Sequence, residues 1–221
     1  MSKNNRNNLV AALCCIIAFA IWTVVVRYVD VKPIGPDGSF VGLAGVNAYI
    51  HHITGVNMIL YTITDWMGLI PVFTGFSFAL LGLIQWIKRK CILKVDYGIL
   101  ILGLYYIIVL AIYLFFEEYI INYRPVLING YLEASYPSST TMLVLCVMPT
   151  AQMQFADRIK NRMVQRIVLV STSAFSAFMV IGRLFSGVHW VSDILGGILL
   201  SSGLVLLYRF FYQQGYSRTH E

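Results

Sequence analysis

Charge is what this chain has least of. Lys, Arg, Asp and Glu together make up 12% of its 221 residues, about half the share found in soluble domains. Apolar residues make up 58%, and the mean hydropathy is +0.74. A soluble globular fold is therefore excluded. Cysteine is also scarce: Cys14 and Cys15 are adjacent, and Cys91 and Cys146 stand alone. That spacing gives neither a disulfide framework nor a zinc site. No repeat, low-complexity tract or soluble domain interrupts the chain. The net charge of +6 comes in short basic clusters between apolar runs. Such clusters act as topology signals rather than as a nucleic-acid surface.

What is present is a series of apolar runs near the roughly 20 residues that a helix needs to cross a bilayer. They cover about Leu9 to Val26, Trp66 to Trp86, Tyr97 to Phe116, Thr140 to Phe155, Ile167 to Ile181 and Trp190 to Tyr208. The first run lacks a small-residue cleavage site and reads as an uncleaved signal anchor. Residues from about Phe40 to Gly55 are too polar to span and read as an interfacial helix. Asp65 reads as the cap of the second span. The expected fold is an all-α integral membrane protein, with six transmembrane helices in a bundle and an interfacial helix after the first span. Residues 1–221 are expected to form one such domain.

With the N-terminus inside, twelve of the sixteen Lys and Arg fall on inner segments. This predicts a plasma-membrane protein with both termini cytoplasmic. Arg124 and Arg183 then lie on the outer side, where arginine should be rare, so they need another reason to be there. Near them stand Pro137-Ser138-Ser139-Thr140 at a helix start, and Arg183, His189 and Asp193. Paired guanidinium groups suit a phosphate. A helix start offers free N–H groups to an anion. If Trp190 onward is helical, with His189 and Asp193 at i and i+4, the carboxylate is placed to hold one imidazole nitrogen while the other faces a substrate. Ionisable groups at such depth are functional candidates by default. Together these residues point to phosphoryl-transfer chemistry on the outer face.

The pattern resembles the type-2 phosphatidic acid phosphatase family, whose motifs are K-x6-R-P, P-S-G-H and S-R-x5-H-x3-D. Arg124-Pro125, Pro137-Ser138, and Arg183 with His189 and Asp193 match in order and spacing, over about residues 40–210. The resemblance implies that His189 attacks phosphorus to give a phosphohistidine and that Asp193 orients it. It implies that Arg124, Arg183, Ser138 and Ser139 hold phosphoryl oxygens, and that no metal or cofactor is needed. The implied partners are the lipid bilayer and a lipid phosphate substrate. The chain departs from the family at four positions: Glu117 replaces the lysine, Ser139 the second-motif glycine, Thr140 its histidine, and Gly182 the third-motif serine. Losing that histidine removes the expected leaving-group acid, so a lipid diphosphate such as polyprenyl diphosphate is the favoured substrate. A headgroup phosphotransferase, or a descendant that binds or moves a phospholipid without hydrolysis, remains open on the same scaffold. His51 and His52 read mainly as amphipathic surface, with a supply of the missing acid as the sharper alternative.

Overall fold

The computed structural model describes residues 3–219. The ends of the polar N-terminal lead and of the C-terminal tail lie outside the described residues. Eight α-helices are described: α1 (Lys3–Tyr28), α2 (Ala44–Thr54), α3 (Met58–Met67), α4 (Leu69–Arg89), α5 (Tyr97–Glu118), α6 (Ser139–Arg158), α7 (Arg162–Phe185) and α8 (Val191–Thr219). Helices dominate because a backbone surrounded by lipid must satisfy its own hydrogen bonds. Among the described residues, five segments are long and apolar enough to cross a membrane: Asn5–Tyr28, Met58–Arg89, Tyr97–Glu118, Arg162–Phe185 and Val191–Gly215. The chain is thus an all-α, multi-pass membrane protein.

The exterior carries large apolar side chains such as Ile17, Ile59 and Ile107, while Asn47, Asn122, Ser135 and Asp193 are buried. This inverts the soluble pattern. α8 packs along α1 and α6, and α6 also packs against α7. Gly196 and Gly197 allow this approach, since a Cβ at Gly196 would meet the Tyr136 ring and one at Gly197 would meet Thr141 and the Ser138 carbonyl. α6 is largely enclosed, with nine buried residues. Its Thr150, Gln152 and Gln154 lower its hydropathy and bond inside the bundle; Gln154 Nε2 donates to Tyr208 Oη at 2.6 Å and to the Gly98 carbonyl at 3.1 Å.

Three sequence expectations are corrected. The second span begins at Met58 rather than Trp66, and α3 and α4 run on through Gly68, whose backbone stays helical. Asn57 is the cap, its Oδ1 accepting from the Leu60 N–H at 2.9 Å. Asp65 is therefore no cap but lies inside α3, in its last turn. The last helix also continues past Tyr208 to Thr219.

α4 ends, α5 starts, α6 ends and α7 starts at one end of the bundle, where Lys88, Arg89, Lys94, Arg158 and Arg162 lie. The opposite end gathers the C-termini of α5 and α7, the N-termini of α6 and α8, and the loop 119–138. That loop contains a small hairpin, with isolated bridges pairing Tyr123 with Ala134 and Ile128 with Tyr131. Asn129 and Gly130 form its turn with φ of 51° and 84°. Asn-Gly is the pair best suited to a two-residue turn that needs both φ values positive.

Candidate active site

The hairpin sets the first half of the site. The Arg124 N–H donates to the Glu133 carbonyl at 3.1 Å, and the Ser135 N–H donates to the Asn122 carbonyl at 2.9 Å. Arg124 and Ser135 thus come from opposite strands of one short ribbon. The second half is the turn between α7 and α8. Gly187 takes φ +67°, and a Cβ there would fall 1.9 Å from the Gly55 carbonyl oxygen. Only glycine fits a position that needs both this backbone and this contact. His51 Nε2 donates to the Gly187 carbonyl at 3.1 Å, and its ring lies 5.3 Å from that of Trp190. Trp190 Nε1 in turn donates to the Tyr123 carbonyl at 2.7 Å. His51 therefore braces the loop that carries His189, while His52 is exposed.

His189 precedes α8 rather than lying in it, so His189 and Asp193 do not stack on one helical face as the spacing suggested. Asp193 occupies the third position of α8, and its Oδ2 accepts from the Trp190 N–H at 3.0 Å. This reach back to the N-cap is half of a capping box, and a carboxylate there also favours the helix dipole. Ser135 Oγ donates to the same Oδ2 at 2.6 Å and lies 3.0 Å from His189 Nδ1. Asp193 Oδ1 accepts from Asn122 Nδ2 at 3.2 Å and from Ser192 Oγ at 3.3 Å. Asn47 completes the support, since its Oδ1 accepts from the Ser192 N–H at 3.2 Å and its Nδ2 donates to Ser192 Oγ at 2.9 Å. All of these side chains are buried.

His189 Nε2 faces Arg124 Nη1 at 3.5 Å. Burial first, and then the charges of Arg124 and Arg183, hold the imidazole well below its ordinary pKa. It is neutral at pH 7, the state in which a ring nitrogen carries a free lone pair. Arg183 is 2% exposed. Its Nη2 donates to Asp65 Oδ1 at 3.0 Å and to Thr140 Oγ1, and its guanidinium stands 5.0 Å from the centre of the Tyr61 ring. Its Nε and Nη1 are buried without a partner in the protein, as is Ser138 Oγ. Buried donors left unpaired cost about 1–3 kcal/mol each, and an anion is the ligand that satisfies them. Ser138, Ser139 and Thr140 sit at the start of α6, whose first N–H groups have no intrahelical acceptor.

The sequence-based candidates thus assemble at one end of the bundle: Arg124, Ser138, Ser139, Thr140, Arg183, His189 and Asp193. Glu117 is exposed at the end of α5, where it shares a small cavity with Tyr113, Ser135 and Ser139. Its place as counter-ion is taken by others, since Arg124 Nε lies 3.1 Å from Glu133 Oε2 and Arg183 pairs with Asp65. Ser135, Asn47, Asn122, Asp65 and Glu133 were missed in the sequence. The Asn129-Gly130 turn is the sequence signal that could have revealed the hairpin holding three of them.

A solved structure with this architecture is the first transmembrane PAP2-type phosphatidylglycerolphosphate phosphatase from Bacillus subtilis. It aligns with a TM-score of 0.64 over 95% of this chain and 97% of its own, at 18% identity. At that identity the likeness is one of fold. None of the curated proteins matches in sequence. Residues 98–217, more than half of the chain, match the model of the PAP2 superfamily. That segment contains the Arg124 loop, the start of α6 and the Arg183–His189–Asp193 turn, and the chain belongs to this superfamily of membrane-associated phosphatases.

Proposed function

We propose that the chain is an integral-membrane lipid phosphate or diphosphate phosphatase working through a phosphohistidine on the outer face of the plasma membrane. The single observation that carries this reading is a buried His189 whose Nε2 faces the Arg124 guanidinium, with burial and the neighbouring charges holding its pKa low. Arg124 and Arg183, with the Ser138–Thr140 helix start, hold the phosphoryl oxygens. Nε2 attacks phosphorus, and the bond from phosphorus to the leaving oxygen breaks. Water then cleaves the N–P bond, releasing inorganic phosphate and neutral His189. Thr140 supplies no acid near neutral pH, and a lipid alkoxide is a poor leaving group without one. A lipid monophosphate leaving from a diphosphate needs no such help, so polyprenyl diphosphates are the favoured class.

Topologically, the reading takes residues 1–221 as one domain with both termini cytoplasmic. α6, enclosed by its neighbours, is the fourth crossing in chain order and brings the total to six, and α2 lies along the interface. At 11 residues and about 1.5 Å per residue, α2 is far too short to span.

The test is phosphate release by the purified protein from polyprenyl diphosphate, phosphatidic acid and phosphatidylglycerolphosphate, beside a His189→Ala variant. The diphosphate is expected to turn over at least about 10-fold faster than either monoester, consistent with the worth of a missing acid. Faster turnover of the monoesters overturns the substrate preference. Equal release by the wild type and His189→Ala overturns the enzyme and favours a phospholipid-binding descendant. Release only in the presence of an acceptor alcohol identifies a phosphotransferase.

A further inference from the structure

We propose that Ser135 is a positioning residue through which Asp193 acts on His189, fixing the imidazole with its proton on Nδ1 and its lone pair on Nε2. The inference rests on His189 as nucleophile and names the residue that orients it.

The hydrogen-bond pattern leaves one assignment. A serine hydroxyl has one proton, whereas a carboxylate only accepts. Ser135 Oγ lies 2.6 Å from Asp193 Oδ2; were its proton turned elsewhere, two oxygen lone pairs would meet at that distance inside a buried site. The proton therefore points to Asp193. The oxygen is left to accept, and the atom 3.0 Å away is His189 Nδ1, which must carry hydrogen. Nε2 is then the unprotonated nitrogen, in keeping with Arg124 Nη1 as its neighbour at 3.5 Å.

Both ends of the link are fixed. Ser135 is held at its backbone by Asn122. The Asp193 carboxylate is held by the Trp190 N–H, Asn122 and Ser192. With the third-motif aspartate turned back to cap its own helix, the hydroxyl spans the gap to the ring. During attack the Nε2 lone pair forms the N–P bond and the ring gains positive charge. The Nδ1 proton stays on the ring, and its bond to Ser135 strengthens as charge-assisted bonds do. Ser135 Oγ and Asp193 neither gain nor lose a proton.

The experiment compares full-length wild type, Ser135→Ala, Ser135→Thr, Asp193→Asn and the Ser135→Ala/Asp193→Asn double variant. Ser135→Ala is expected to lower kcat about 100-fold with KM little changed, and Ser135→Thr to restore most of it. Because both single changes break one link, the double variant is expected to be no more than about threefold worse than the more damaged single variant. A Ser135→Ala protein with near wild-type kcat, or losses that multiply in the double variant, overturns the proposal. If the alanine variant does not fold, Ser135→Cys, a poor hydrogen-bonding isostere, is held to the same criteria. A second readout needs no turnover: 15N spectra of ring-labelled histidine, with His189 assigned by difference from His189→Ala. The Nδ1–H tautomer is expected in the wild type and is lost in Ser135→Ala. An Nε2–H tautomer in the wild type overturns the proposal even where phosphatase activity is demonstrated. The Nδ1–H tautomer in a protein that releases no phosphate supports it while the phosphatase reading fails.

Discussion

Arg183 and Asp65 form an ion pair at 3.0 Å across 118 positions of sequence, with the guanidinium buried and the carboxylate exposed. The arginine proposed to hold a substrate phosphate is thus already engaged by a carboxylate of α3, on the nitrogen that also meets Thr140. On the proposed function, a phosphoryl oxygen and Asp65 compete for the same positive charge.

Asp65→Asn is therefore expected to tighten competitive inhibition by inorganic phosphate or vanadate by about 3–10-fold, because a neutral amide no longer repels the anion or compensates Arg183. Inhibition constants measured on the two proteins decide the matter. An unchanged or weaker constant means that Asp65 positions Arg183 rather than competing for it.

The depressed pKa of His189 fixes the direction of its pH dependence. A free imidazole takes its proton near pH 6.5, whereas the folded site resists protonation until lower pH. The imidazole proposed as nucleophile is thus unprotonated at pH 7, and the acid limb of kcat/KM is expected below about 6.5. Arg124→Gln removes one of the charges that lower this pKa, so the limb is expected to move to higher pH even as activity falls. A limb that stays in place shows that Arg124 does not set the value. In the same window the unfolded chain binds more protons than the folded one, so stability contributed by neutral His189 is complete above pH 6.5 and is lost as the pH falls. His189→Gln should flatten that slope in a thermal melt.

Thr140 accepts from Arg183 at the position where the family pattern has histidine. Thr140→His is expected to raise monoester hydrolysis at least about 10-fold, toward the 10²–10⁴ that a general acid supplies, and to leave diphosphate turnover nearly unchanged. Substrate-panel kinetics measure both. No gain on monoesters shows that residue 140 does not face the leaving group.

How much of this was legible in the sequence differs residue by residue. Arg124, Arg183, His189 and Asp193 stood out because charge is rare in an apolar chain and each needed a reason to be there. Ser135, Asn47 and Asn122 did not, since a single polar residue in a loop or short helix carries no period and no motif. Asp65 reads as a cap only when its helix is started eight residues too late; a helix that begins at Met58, capped by Asn57, is hidden by the mixed composition of residues 58–66.

Composition and spacing by themselves determined the class, the long apolar spans and which charged residues stand out, because burial in lipid demands long apolar helices and ionisable groups are costly within them; the order of the motifs came from the family resemblance. Only the tertiary structure decided what touches what. His189 and Asp193 lie four residues apart, a spacing that promised a direct contact. The hairpin at Asn129-Gly130 instead brings a hydroxyl 54 positions upstream of His189 to its Nδ1. A hydrogen bond reaches only about 3 Å, and no local pattern records which distant residue will come within that reach.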